Sequence, residues 1–280
     1  FAEEVDRLSG GSMKISVYPN SVLGGDRELL ESCKDGDIPF VVQNTAPQVT
    51  FMKDTAVFDM PALFETIDEV REHVDNLEFM ELMQQVYRDG GYELLGYADQ
   101  GFRVMTTNKK VENLSDFKGQ KIRTMENQVQ LDSFTAFGAS PLPMAYGELY
   151  TALQQNIIDG AEAANTNYYS KKFYEAAPHW AMVGWTNDLG ICVVAKNFYD
   201  SLSDEHKQII DECTKEMIDK ERELYTASED ECLELLKGEG IEITEPDREP
   251  FIEAAQSVYD QWGDKVGGRD KIDAIVNFGK

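Results

Sequence analysis

The sequence has few positive charges, few histidines and cysteines, and no long apolar run. It has 26 lysines and arginines against 52 aspartates and glutamates, a formal net charge of −26. Nucleic-acid binders need a basic face to displace counterions, and anionic lipid surfaces attract the same charge, so both partner classes are excluded. No run of 18 apolar residues occurs, so no segment reads as a membrane-spanning helix. No signal-peptide pattern is present either. The histidines are His73, His179 and His206. Two lie in charged helical stretches, and His179 follows Pro178 in a loop. There is no serine elbow, Cys-His pairing, Walker loop or HExxH helix. No enzyme and no cofactor are therefore expected. A metal site is not expected, because hard cations require a dense oxygen cluster.

Cys33, Cys192, Cys213 and Cys232 fit no zinc or redox spacing. Cys213 and Cys232 share one helical pattern, about 28 Å apart at the rise of a helix, too far for a disulfide. All four read as ordinary small core or surface residues. The acid excess reads as a well-solvated surface.

The 280 residues, 42% hydrophobic, suffice for two domains or one large one. Phe1, Val5 and Leu8 are at helical spacing before Gly10–Gly11, so the chain is expected to open inside a helix that follows an upstream segment. The stretch "MKISVYP" alternates and predicts a strand. "GGDRELLESCKDG" predicts a helix with an acid in its first turn, and "IPFVVQN" a buried strand. "FDMPALF" is a loop, and residues 66–88 predict one long amphipathic helix. "YELLGYA", "FRVMTTN" and "QKIRT" read as strands, followed by a helix over 127–138 and an extended "SPLPM". "AYGELYTALQQN" predicts a helix that buries Tyr146, Leu149, Tyr150 and Leu153. After "IIDGAEAAN" and the apolar strand "DLGICVVAK", a helix capped by Ser203 runs to about Lys237. Strands alternating with helices predict an α/β fold with mostly parallel sheets, without internal repeats or disordered linkers.

Ligands of open α/β sheets bind at the carboxyl ends of strands. Gln43, Asn44, Glu126, Asn127, Asn165 and Asn167 fall at such ends, while Arg103 sits early in its strand and Arg123 inside "KIRT". An arginine buried on a strand needs an anionic partner. The pattern alone leaves open whether Arg123 meets a ligand or a chain acid such as Glu126 or Glu148, and whether Tyr146 simply packs its helix.

One long stretch is more specific. "FKGQKIRTMENQVQLDSFTAFGASPLPMAYGELYTALQQNIIDGAEAA", with "KKFYE" after it, closely resembles the central signature of TRAP-transporter solute-binding proteins. "YPNSVLGGDRELLESCKDGDI" and "AVFDMPALF" resemble the family's amino-terminal signatures, so the likeness covers nearly the whole chain. The resemblance implies a periplasmic or otherwise extracytoplasmic, monomeric protein that hands a small organic acid to TRAP permease subunits. The implied fold is two periplasmic-binding-protein-like α/β lobes, joined by crossing strands and one long helix and closing around the ligand. Lobe I is expected over 1–100 and 189–228, lobe II over 101–188 and 229–280. The family's carboxylate-clamping arginine falls on Arg123 and its frequent second arginine on Arg103. The aromatic of its Pro-Met-aromatic step falls on Tyr146, and further pocket positions fall on Gln43, Asn44 and Asp26.

The family's amino-terminal strand, which usually touches the ligand, has no counterpart before the first helix here. Two other departures stand out. Ala163 occupies a place that is often asparagine, with Asn165 and Asn167 out of register, and Glu126 replaces what is often a neutral amide. Asp26, Gln43, Asn44, Glu126, Asn165 and Asn187 are acceptors or mixed groups, which suits a hydroxylated monocarboxylate such as a sugar acid. Tyr146, Tyr168 and Trp185 could add apolar lining. The alternatives are an amino acid or dicarboxylate as ligand, a sensor that presents its ligand to a membrane receptor, or an α/β enzyme.

Overall fold

A computed structural model describes residues 1–265; the end of the expected second lobe, 266–280, lies outside the described residues. The helices are α1 (Ala2–Leu8), α2 (Asp26–Asp35), α3 (Ile67–Val74), α4 (Leu77–Gly90), α5 (Gln128–Ala136), α6 (Leu149–Gln154), α7 (Asn165–Ser170), α8 (Lys196–Ser201), α9 (Asp204–Gly238) and α10 (Glu249–Trp262). The strands are β1 (Phe40–Asn44), β2 (Tyr92–Phe102), β3 (Val104–Thr107), β4 (Lys121–Thr124), β5 (Ser140–Pro143), β6 (Gly160–Ala163), β7 (His179–Ala181), β8 (Asn187–Ala195) and β9 (Glu242–Thr244). They form a three-stranded sheet, β1-β8-β2, and a six-stranded sheet, β5-β4-β6-β3-β7-β9.

The two sheets exchange strands. The chain passes from β2 in the first sheet through Arg103 directly into β3 in the second, and returns from β7 to β8. The two crossings clasp each other at Arg103. Its N–H donates to Thr186 O at 2.8 Å, and Trp185 N–H donates to Arg103 O at 3.2 Å. Each half has its own apolar core: Leu30, Phe58, Tyr97 and Ile191 lie in one, and the second sheet is flanked by clusters around Trp180 and around Phe134. Two α/β lobes with crossing strands are therefore the architecture.

Several local expectations are met and some are corrected. Helix α9 is continuous over 35 residues, and the Ser203 hydroxyl accepts from His206 N–H at its start. It packs on β2 and on α7, and so touches both lobes. All four cysteines are free, with Cys232 half-buried and the others buried. The single helix expected over 66–88 is two, because Asn76 caps a new start by accepting from Glu78 N–H and Phe79 N–H. Met13–Pro19 forms no strand. It has no ladder partner among the described residues, and Val17 and Tyr18 point into solvent. Among the described residues, pairing is parallel only for β4–β5, β4–β6 and β7–β9. The β1–β8, β2–β8, β3–β6 and β3–β7 pairs are antiparallel, so mostly parallel sheets are not what forms. Leu149 and Leu153 are buried on α6 as expected, whereas Tyr146 and Tyr150 are only half-buried.

Gly101 shows how tightly α9 lies against the crossing. It sits at an irregularity of β2–β8 with φ +83°, and a Cβ there would fall 1.6 Å from Tyr225 Oη on α9. Gly147 has open space around the same position. Gly101→Ala should lower stability by about 1–3 kcal/mol or more, from left-handed strain and overpacking together. Gly147→Ala should change it little. Urea denaturation of both variants checks this, and equal midpoints would contradict the close approach.

Candidate ligand-binding site

The site is built where the crossing meets the second sheet. Arg103 is in the crossing and Arg123 on β4, each no more than 2% exposed. Parallel pairing sets Arg123 beside Ala161 on β6, and the next residue, Glu162, is fully buried. Its carboxylate serves both arginines: Arg103 Nε donates to Oε2 at 2.5 Å and Arg123 Nη1 to Oε1 at 3.1 Å. Arg103 also lies 3.2 Å from Asp188 Oδ2 and donates from Nη2 to Glu162 O at 3.3 Å. Arg123 Nε donates to Met144 O at 2.9 Å.

The arginines are not equally compensated. Burial works against the charge of Arg103, but Glu162 and Asp188 outweigh it and its pKa is raised. Burial prevails at Arg123, whose pKa is lowered despite Glu162 and with repulsion from Arg103 added. The arginine expected to clamp a ligand is thus the one short of negative charge, although it also meets a chain acid. That acid is Glu162, and neither Glu126 nor Glu148, the partners weighed from sequence, ion-pairs with it. The guanidinium nitrogen buried without a hydrogen-bond partner among the described residues is Arg103 Nη1.

The other predicted residues divide into groups. Tyr146 is half-buried with its ring 6.0 Å from Arg123 Cζ, and its Oη accepts from Asn167 Nδ2 at 3.0 Å. Asp26, first residue of α2, is raised in pKa by burial, held back by Arg123 and raised further by Glu126, so these three share one electrostatic neighbourhood. Asn44 Nδ2 reaches Met125 Sδ at 3.4 Å. Gln43 and Asn187 are 8% and 4% exposed, and their amide atoms have no hydrogen-bond partner among the described residues. Buried amides without partners are costly, which is the condition of groups that await a ligand or water. Asn165 instead donates to Glu229 on α9. Ala163 is buried on β6 opposite Val104, and Asn167 reaches Tyr146 from the following helix. Tyr168 and Trp185 are core residues: Tyr168 stacks on Trp180 at 3.9 Å, and Trp185 packs against Phe134 and Phe137.

Sequence reasoning missed the acids beneath the site. Asp59 accepts from Asn127 Nδ2 at 2.8 Å and from Gln130 Nε2 at 3.0 Å. Burial pushes Asp59 well up, with repulsion from Asp188 adding to it. Burial likewise pushes Asp188 up to about 7, against the pull of Arg103. The available signal was a lone acid in an apolar run, in "AVFDM", "GAEAA" and "NDLGICVVA".

Two lobes clasped by crossing strands over a buried, partly uncompensated arginine define a binding protein for a small anionic solute. The profile described as "Bacterial extracellular solute-binding protein, family 7" matches residues 1–265, and the chain belongs to this family, the solute-binding proteins of TRAP transporters. It is 27% identical over 266 residues to the sialic acid-binding periplasmic protein SiaP of Vibrio cholerae, covering 95% of this chain and 83% of that one. A TRAP periplasmic solute-binding protein of Polaromonas sp. JS666 bound to D-erythronate has a similar structure. Its TM-score is 0.95 at 30% identity, covering 100% of this chain and 92% of that one. Another, from Xanthobacter autotrophicus with bound β-D-galacturonate, has a TM-score of 0.94 at 27% identity, covering 98% and 92%.

Glu162→Gln tests the arrangement. It removes the anion shared by two buried cations and should cost about 3–5 kcal/mol of stability. Urea unfolding measures it; wild-type stability in this variant would mean that the arginines do not depend on Glu162.

Proposed function

We propose that this protein captures a small hydroxylated monocarboxylate of the sugar-acid class outside the cytoplasm and, as a monomer, delivers it to a TRAP permease, without catalysis. The observation that carries the reading is Arg123: buried, and lowered in pKa by burial and by repulsion from Arg103 despite Glu162. A planar guanidinium matches a carboxylate bidentately, each charge-assisted bond contributing roughly 1.5–3 kcal/mol net. Asp26 and Glu126 near Arg123 favour hydroxyl donors and disfavour a second anionic group. The relatives from Polaromonas and Xanthobacter hold an aldonate and a uronate, which supports the same class. The same two acids favour one rival, an amino acid whose ammonium they would pair. Gln43, Asn44, Tyr146, Asn165 and Asn187 would complete the cleft. Lobe I would comprise 1–100 with 189–228 and lobe II 101–188 with the rest, a division that the crossing near Arg103 and Thr186 supports.

A thermal-shift screen over uronates, aldonates, dicarboxylates, amino acids and aromatic acids decides the class. Stabilisation by polyhydroxy acids is expected; stabilisation only by a dicarboxylate, an amino acid or an aromatic acid would overturn the reading. With the ligand so found, Arg123→Ala should weaken binding by about 3–5 kcal/mol, several-hundred-fold or more, and Arg123→Lys should recover only part. Wild-type affinity in the lysine variant, measured by calorimetry, would contradict a bidentate clamp.

Closure is expected about the crossings and α9. Small-angle scattering should show a smaller radius of gyration with the stabilising ligand than without it, and an unchanged radius would exclude closure.

A further inference from the structure

Beneath Arg123, the buried groups do not balance. Three carboxyl groups, Asp59, Glu162 and Asp188, face two guanidinium groups, Arg103 and Arg123, and all five side chains are at most 2% exposed. They come from five places in the fold: the turn ending at Asp59, β6, β8, the crossing and β4. Such a set is an expensive home for an unpaired anion, and a proton is the cheapest way to remove one.

Burial pushes both Asp59 and Asp188 up, and the hydrogen bonds favour Asp188 as the seat of that proton. Glu162 accepts from both arginines, one on each oxygen. Asp59 accepts an amide N–H on each oxygen, from Asn127 and Gln130, bonds that favour its ionised form. Asp188 accepts none from the described residues. Its one ionic neighbour is Arg103 Nε at 3.2 Å, which donates instead to Glu162. The groups that act on Asp188 from the elements around it are Arg103, Glu162, Arg123 and Asp59.

We propose that Asp188 is a proton site of the binding cleft and that capture of a carboxylate at Arg123 is coupled to uptake of a proton there. The coupling follows from the fields. Arg123 helps to hold Asp188 ionised, and a bound carboxylate cancels that help, so the proton affinity of Asp188 rises when the ligand binds. Without ligand, burial pushes Asp188 up to about 7 against the pull of Arg103. Below that pH the proton is already present and binding is unlinked to pH. Above it, each ligand brings in up to one proton, and the affinity falls by up to about tenfold per pH unit until the bound-state midpoint is passed. The sign for folding agrees. A carboxyl raised above its unfolded value stabilises the native state at low pH, and this contribution is lost as pH rises toward and through about 7.

The proposal rests on Arg123 being the carboxylate clamp, and its test has an arm that does not need a ligand. Infrared difference spectra of the ligand-free protein, between about pH 6 and about pH 8.5 on either side of that midpoint, should show loss of a buried carboxylic-acid carbonyl band. The band should be absent in Asp188→Asn and kept in Asp59→Asn. Its absence from wild type, or its persistence in Asp188→Asn, overturns the proton site. Calorimetry with D-glucuronate at about pH 8, in phosphate and in Tris, should give heats that differ by the buffers' ionisation heats times the protons taken up. Asp188→Asn should bind with buffer-independent heat and an affinity that no longer falls with pH. Equal heats in the two buffers for wild type overturn the coupling. No D-glucuronate binding, with the infrared band in place, would count against the ligand class and leave the proton site supported.

Discussion

The structure turns on one carboxylate placed between two guanidinium groups. Glu162 is buried on a central strand of the second sheet, and its two oxygens are divided between an arginine from β4 and an arginine from the crossing. Neither cation would be tolerable there alone, because burial of an unpaired guanidinium costs several kcal/mol. The shared anion joins β4, which carries Arg123, to the crossing between the lobes. Any movement of the crossing would therefore disturb the electrostatics around Arg123.

Much of this was legible in the sequence, for definable reasons. The Ser203 cap and the unbroken period after it gave the long helix, and the apolar run from Leu189 gave the central strand of the first sheet. Arg123 stood out because a cation on a half-apolar strand requires an anion. Its chain partner was not legible, because pairing across β4 and β6 depends on register, and Glu126 and Glu148 were nearer in sequence. Asn76 was overlooked as a cap inside what reads as one amphipathic period, so one helix was expected where two exist. Met13–Pro19 has the alternation of a strand but lacks a neighbour, and alternation cannot supply ladder bonds. Antiparallel pairing was missed because each strand is local while the exchange between sheets is not.

The site residues show the same division. Asp26, Glu126, Tyr146 and Arg123 share one neighbourhood, whereas Asn165 is engaged by Glu229 on α9. Tyr168 and Trp185 look from sequence like aromatic lining but are core residues, since planar side chains near a cleft serve packing as readily as recognition.

The length of α9 has a mechanical meaning. A helix of 35 residues is about 52 Å long at 1.5 Å per residue, so a pivot near its middle leaves two arms of roughly 26 Å. A bend of about 10° at such a pivot carries an arm's end through roughly 4–5 Å, more than the length of a hydrogen bond. Tyr225, pressed against Gly101, lies in the second half of the helix. Sub-ångström adjustments at that contact, spread over a few backbone bonds, would be geared up along the helix to displacements of several ångströms at its end.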